Sequence, residues 1–374
     1  IVTVHHGVPR MGELGVFDPG KGRHEASGAI QRIPGRGKEV ERVVRDALVD
    51  GSWPKFLHPY PLSDKHLLVS CKPTPQSLWG IYLVDTFDNM LLLHEEQGYA
   101  MMEPVPLQKS LKPPVIPDKT DPKRKDAVVY MVDIYQGDGL KGMPRGTVKK
   151  LRVISYHFAY HNMGGLLGVV GMDGPWDPKR ILGTVPVEAD GSALFRVPAN
   201  TPIAVQPLDA EGKAVQLMRS WMTAMPGETL SCVGCHERQN TSPPARQTLA
   251  LGKPPAEIEP WRGPARVFSY AREVQPVIDK HCIACHSGEK RPDGTLAASL
   301  RGDRKLTDFA LVTPGNGGGN AGRFSVGYAE LSRYVRRNGI EGDYHMLTPL
   351  EFHADTTELV QLLEKGHYGV KLDA

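Results

Sequence analysis

Two copies of one five-residue pattern constrain this chain more than anything else in it: Cys232-Val233-Gly234-Cys235-His236 and Cys282-Ile283-Ala284-Cys285-His286. Four of the five cysteines lie in these motifs, and the fifth is Cys71. Thiols at i and i+3 reach the two vinyl groups on one edge of a porphyrin, and the histidine that follows then stands beneath the iron. C-x-x-C-H is therefore the attachment signature of a c-type haem. The competing reading is a pair of dithiols meeting in one four-cysteine zinc site, which requires them to come together across 50 residues of chain. A disulfide framework instead spreads its cysteines along the chain. Two covalent haem c groups are expected. His236 and His286 are their axial ligands, each steadied by a bond from its other ring nitrogen to a backbone carbonyl.

The group opposite each motif histidine decides what a haem does. A second His or Met there makes an electron carrier, and an open position admits a small ligand. For the second motif the candidates are His353, His345, Met346 and His367. His353 is favoured because it directly precedes a C-terminal helical pattern. For the first motif, "SYHFAYHNMGG" places His157 and His161 beside Tyr156 and Tyr160. The two histidines share a face in a helix and in a strand alike. They are candidates for haem ligands, metal ligands or catalytic acid–base groups, weighed against a plain aromatic surface strand. Cys71 is either a small buried hydrophobe or a metal ligand.

The 374 residues suffice for two or three domains with real cores. Abundant Gly (40) and Pro (32) favour strands and turns over a helical bundle. The pattern reads as mainly β with a helical C-terminal part. Residues 1–105 carry paired strand units, "HLLVSC" and "GIYLVDTFDNMLLL", of the kind that build propeller blades, and are too few for a whole propeller. Residues 106–250 begin with a Pro/Lys-rich stretch and continue as a β-rich, sandwich-like middle domain ending in the first motif. Hairpin-type turns are expected at 189–192 and 209–212. Residues 251–374 read as a class I-like cytochrome c domain. One helix leads into the second motif and another, "TELVQLLEKG", is stopped by Gly366. A formal charge of +3 with dispersed Lys and Arg excludes a nucleic-acid binder. No segment is long and apolar enough to span a bilayer. The chain opens at Ile1 within a strand-like run, which suggests part of a longer precursor. The expected setting is the periplasm or another extracytoplasmic compartment.

With these residues in place, a resemblance emerges. "GSALFRVPANTPIAVQPLDAEGKAVQLMRSWMTAMPGETLSCVGCHERQNTSPP" resembles the middle haem domain of the hydrazine synthase alpha subunit family. "HPYPLSDKHLLVSC" and "GIYLVDTFDNMLLLHEE" resemble the last propeller blades before it. "PVIDKHCIACHSG" and "HADTTELVQLLEKGHYGVKLD" resemble the cytochrome c domain after it. The resemblance implies an extracytoplasmic oxidoreductase working with other cytochrome or synthase-type subunits on a small inorganic compound. It implies a first haem at which chemistry occurs and a bis-histidine second haem for electron transfer, through His286 and His353. In the family, a tyrosine four residues after the first motif histidine binds iron, and that histidine helps bind zinc with a propeller-region cysteine. The matching positions are Asn240, His236 and Cys71. Asn240 cannot supply a phenolate, which puts the tyrosine-ligated haem, and hydrazine synthesis with it, in doubt. The leading expectation is a dihaem cytochrome acting on a small nitrogen or oxygen compound. The alternative is a purely electron-transferring or structural subunit of a larger complex.

Overall fold

The computed structural model describes residues 2–3, 11–23, 26–40, 48–157, 179–237, 246–266, 268–290, 293–305, 324–336 and 346–372. They form a mainly β chain with a helical C-terminal part, in two compact units, Ile1–Ile116 and Pro117–Ala374.

The first unit holds a small antiparallel sheet of β1 (Val2–Thr3), β2 (Glu13–Phe17) and β3 (Ala29–Ile33). Beside it runs a four-stranded antiparallel meander of β4 (Lys55–Pro61), β5 (His66–Lys72), β6 (Gly80–Asp85) and β7 (Met90–His94), paired in chain order. Period-2 burial along β6 gives the sheet an inner face. That face joins Leu14, Ile33, Phe56, Val69 and Val84 in one apolar core. The turn from β6 to β7 is held by the Asp85 carboxylate, which accepts the Phe87 and Asn89 N–H groups. The meander has the strand order of a single blade. The described strands close no propeller.

The second unit begins with two three-stranded sheets. One is β10 (Lys179–Pro186), β9 (Lys150–Tyr156) and β12 (Ile203–Leu208), in that order. The other is β11 (Ala193–Pro198), β8 (Asp126–Met131) and β13 (Thr229–Cys232). Alternate residues of β8 (Ala127, Val129, Met131) and β9 (Leu151, Val153) meet with Val185, Phe195 and Ile203 in a shared core. This is the two-layer arrangement that strands with one apolar face require. The turn at 189–192 has hairpin-type bonding, with the Glu188 N–H donating to the Ser192 carbonyl, but it joins β10 to β11, which lie in different sheets, so it carries the chain between layers. At 209–212 the Asp209 N–H donates to the Lys213 carbonyl and Leu208 bridges Ala214, as a hairpin turn requires.

In the helical part, a wide turn over Tyr270–Val274 runs into α1 (Gln275–His281). α2 (Val326–Ser332) was not foreseen from the pattern. The Ser325 hydroxyl caps it by accepting the Tyr328 N–H. α3 (Glu358–Lys365) ends at Gly366, whose φ of 84° is open to glycine at no steric cost. No helix among the described residues is long and apolar enough to cross a membrane.

Candidate haem attachment sites

The first motif begins on β13, the strand that runs parallel to β8 with Cys232 opposite Met131. The chain then turns through a cradle formed by residues 132–139. The Val132 and Asp133 N–H groups donate to the Cys232 and Val233 carbonyls, and the Cys235 N–H donates to the Ile134 carbonyl. Gly139 N–H donates to the Cys235 carbonyl at 2.9 Å. A Cβ on Gly139 would stand 2.5 Å from Cys235 Sγ, and one on Gly137 would stand 2.6 Å from the His236 carbonyl oxygen. Both positions need glycine because the motif backbone passes so close. Sequence reasoning missed these two glycines, since nothing local ties them to the cysteines.

The cradle is anchored by Asp133, whose side chain is 1% exposed. Its carboxylate takes Arg145 and Arg246 at 3.1 Å each and accepts the Tyr135 N–H. Cys232 and Cys235 pack against the sandwich core, with Cys232 Sγ 3.9 Å from Met222 Sδ. Burial, with the Glu237 carboxylate adding to it, pushes both thiols up to about 11. His236 is exposed and has a φ of 58°, a left-handed backbone that costs a non-glycine residue of order 1 kcal/mol or more.

The second motif is built differently. The Cys282 N–H closes the last turn of α1 on the Ile278 carbonyl, and the His286 N–H returns to the Cys282 carbonyl at 3.0 Å. Burial raises the Cys282 thiol, whereas Cys285 is exposed. His286 Nδ1 lies 3.0 Å from the Ala298 carbonyl oxygen. That bond fixes the proton on Nδ1 and leaves Nε2 as a lone-pair donor. Across from it stands His367, with ring centroids 6.1 Å apart and ring planes at 35°. The two rings are near enough to each other to serve one bound group. Tyr368 packs edge-on against the His367 ring at 4.7 Å.

The other sequence candidates fall elsewhere. His353, favoured as the partner of His286, is buried with both ring nitrogens engaged. Nε2 lies 2.9 Å from Asp209 Oδ2, and Nδ1 accepts the Asp355 N–H. His353 belongs to the seam between the 209–213 turn and the C-terminal segment, where both its ring nitrogens are engaged by protein groups. Met346 lies at the start of that segment. Cys71 is fully buried among Leu14, Phe56 and Val84, and burial pushes its thiol up to about 12. That environment suits a small hydrophobe. His157 is exposed at the end of β9, with Nε2 3.1 Å from Ser155 Oγ; no hydrogen bond or ring contact among the described residues joins it to the first motif. His161, Asn240 and His345 lie outside the described residues. Among the described residues, no group of three or more His, Cys, Asp or Glu is placed to hold a metal ion.

Residues 146–237, from just before β9 through the first motif, match the family described as hydrazine synthase alpha subunit middle domain. A solved structure, Kuenenia stuttgartiensis hydrazine synthase, superposes with a TM-score of 0.57 and 18% sequence identity. The match covers 75% of this chain and 46% of that one. The chain thus spans less than half the length of its structural relative, and at this identity the likeness is one of fold. No curated protein matches.

Proposed function

We propose that this chain is a dihaem c-type cytochrome working outside the cytoplasm. In this reading, redox chemistry on a small nitrogen or oxygen compound occurs at the first haem, and electrons move through the second. The observation that carries it is the His286–His367 pair, one ring tethered through Nδ1 and the other set 6.1 Å away. Cys282 and Cys285 would hold the second haem, and His286 and His367 would supply its protein ligands. Cys232 and Cys235 hold the first, and His236 is the motif ligand. When bound, haem supplies a one-electron couple and, where an axial position is open, a site for a small ligand.

The chain's residues give the two sites different tasks. With His286 and His367 both serving it, the second site would exclude added ligands and favour electron transfer. At the first, the buried cradle around Cys232 and Cys235 fixes one haem edge against the sandwich, and His157 and His161 are assigned the movement of protons. Fold likeness to a hydrazine synthase supports chemistry on nitrogen compounds. Asn240 in place of an iron-binding tyrosine argues against the same reaction. Zinc has no part in the proposal, because Cys71 belongs to an apolar core.

The test is haem content together with oxidised and reduced spectra, with and without carbon monoxide, for the natively matured protein and for His367→Ala and His353→Ala. Two haems per chain are expected, with one of them binding carbon monoxide. His367→Ala opens the second haem to carbon monoxide, and His353→Ala leaves it closed. Two low-spin haems indifferent to carbon monoxide would move the assignment to electron transfer alone. Fewer than two haems would sink it.

A further inference from the structure

Gln216 is 6% exposed, and a carboxamide taken out of water is costly unless each of its groups finds a partner. Here each one does. Nε2 donates to the Gly139 carbonyl at 2.7 Å and to the Leu347 carbonyl at 2.8 Å, and Oε1 accepts the Leu217 N–H at 2.9 Å. Two carbonyl partners on one side fix which end of the amide is nitrogen. A leucine or methionine would fill the same volume and need no partners. What the amide adds is a tie between two backbone segments, 77 and 131 residues away from it in sequence.

One of those segments is the cradle of the first motif. Gly139 meets Gln216 through its carbonyl and the motif through its N–H, which donates to the Cys235 carbonyl. A single residue thus separates the carboxamide from the motif backbone. The other segment leads to the second site. It starts at the buried Leu347 and is pinned at two further points along 209–216: the Leu350 N–H donates to the Val215 carbonyl, and His353 Nε2 meets Asp209. Lys213 then pairs with Asp355 and with Glu364 of α3. Beyond α3 and Gly366 comes His367, facing His286. Of these contacts, the one at Gln216 continues into the cradle.

We propose that Gln216 is a positioning residue that couples the two haem sites. A haem on Cys232 and Cys235 steadies the cradle, Gly139 passes that order to the carboxamide, and the carboxamide holds Leu347 and the segment that leads to His367. An empty first site leaves Gly139 free to shift, and the shift reaches Leu347 through one side chain. The element with two arrangements is segment 347–353, docked on 209–216 or released from it. Coupling of this kind is a free energy shared between sites, so a released segment loosens the cradle in turn. The inference rests on the dihaem reading.

Hydrogen exchange of the natively matured full chain, read by mass spectrometry in a double-mutant cycle, tests it. Cys232→Ser with Cys235→Ser empties the first site, checked by a haem count falling from two to one. Gln216→Met removes the carboxamide and keeps the volume. It leaves two buried carbonyls unpaired, so exchange over 137–139 and 347–353 is expected to quicken about tenfold or more. Emptying the first site quickens exchange over 347–353 in the wild-type background and adds nothing in the Gln216→Met background. The low-spin paramagnetic signal of the second haem shifts in the same variants. If Gln216→Met fails to mature, Gln216→Asn, with its amide one methylene short of both carbonyls, takes its place in the cycle. Additive effects, or exchange that rises evenly along the chain, overturn the proposal and leave Gln216 a general stabiliser. Segment 347–353 indifferent to an empty first site overturns it as well. Haem counted in the wild type separates the two failures: fewer than two haems sinks the dihaem reading and this coupling with it, whereas two haems with an additive cycle sinks the coupling alone.

Discussion

His353 and His367 show how two histidines fourteen residues apart take opposite roles. His353 donates to Asp209 and accepts from Asp355, so its ring is a structural brace. Asp209 titrates accordingly. Burial pushes its carboxyl up, but the bond from His353 and the N–H groups of Lys213 and Glu211 outweigh this and hold it below the usual carboxylate range. A carboxyl depressed in the folded state adds stability that is complete above the unfolded value of roughly 4 and is lost as pH falls through the folded value. Urea unfolding of the wild type is thus expected to weaken as pH drops below roughly 4, and His353→Ala to flatten that loss. An unchanged acid profile in the variant would show the pair to be inert. At this scale the motif cysteines and histidines were legible because the attachment pattern is contiguous. His367 stood among the candidates for the second motif, but which of them meets His286 was not legible, because that meeting is made by the fold and leaves no trace in local spacing.

Among the elements, the loop after β8 contributes most to the first site, and it does so through small residues. Gly139→Ala is expected to push Cys235 out of place, cost about 1–3 kcal/mol as an overpacked contact, and lower haem content from two toward one per chain. Gly252→Ala, where an added Cβ meets nothing within 4 Å, is the control. Haem quantification and thermal unfolding read both effects, and equal behaviour of the two variants would remove the cradle from the account. Strands such as β8 and β9 were readable from alternation, since a strand with one buried face must alternate. Which sheet each strand joins was not readable. The 189–192 turn has ordinary hairpin chemistry, yet it passes the chain from one layer to the other. α2 is only seven residues long and contains Gly327, too short a run for helical periodicity to announce it.

For the whole molecule, the division at Ile116/Pro117 falls within residues 102–120, which form neither helix nor strand. Trypsin is expected to cut after Lys119 readily and to leave a fragment beginning at Thr120 that keeps both haems. The parallel pairing of β13 with β8 also sets a timetable. Cys232 reaches Met131 only after roughly a hundred intervening residues have been made, so this contact is among the latest in chain order. Once β13 docks, both thiols of the first motif pack against the core, and burial holds their ionisation up to about 11. If this site takes a haem as proposed, attachment belongs to the interval before docking, and a chain that folds too quickly would close its first site empty.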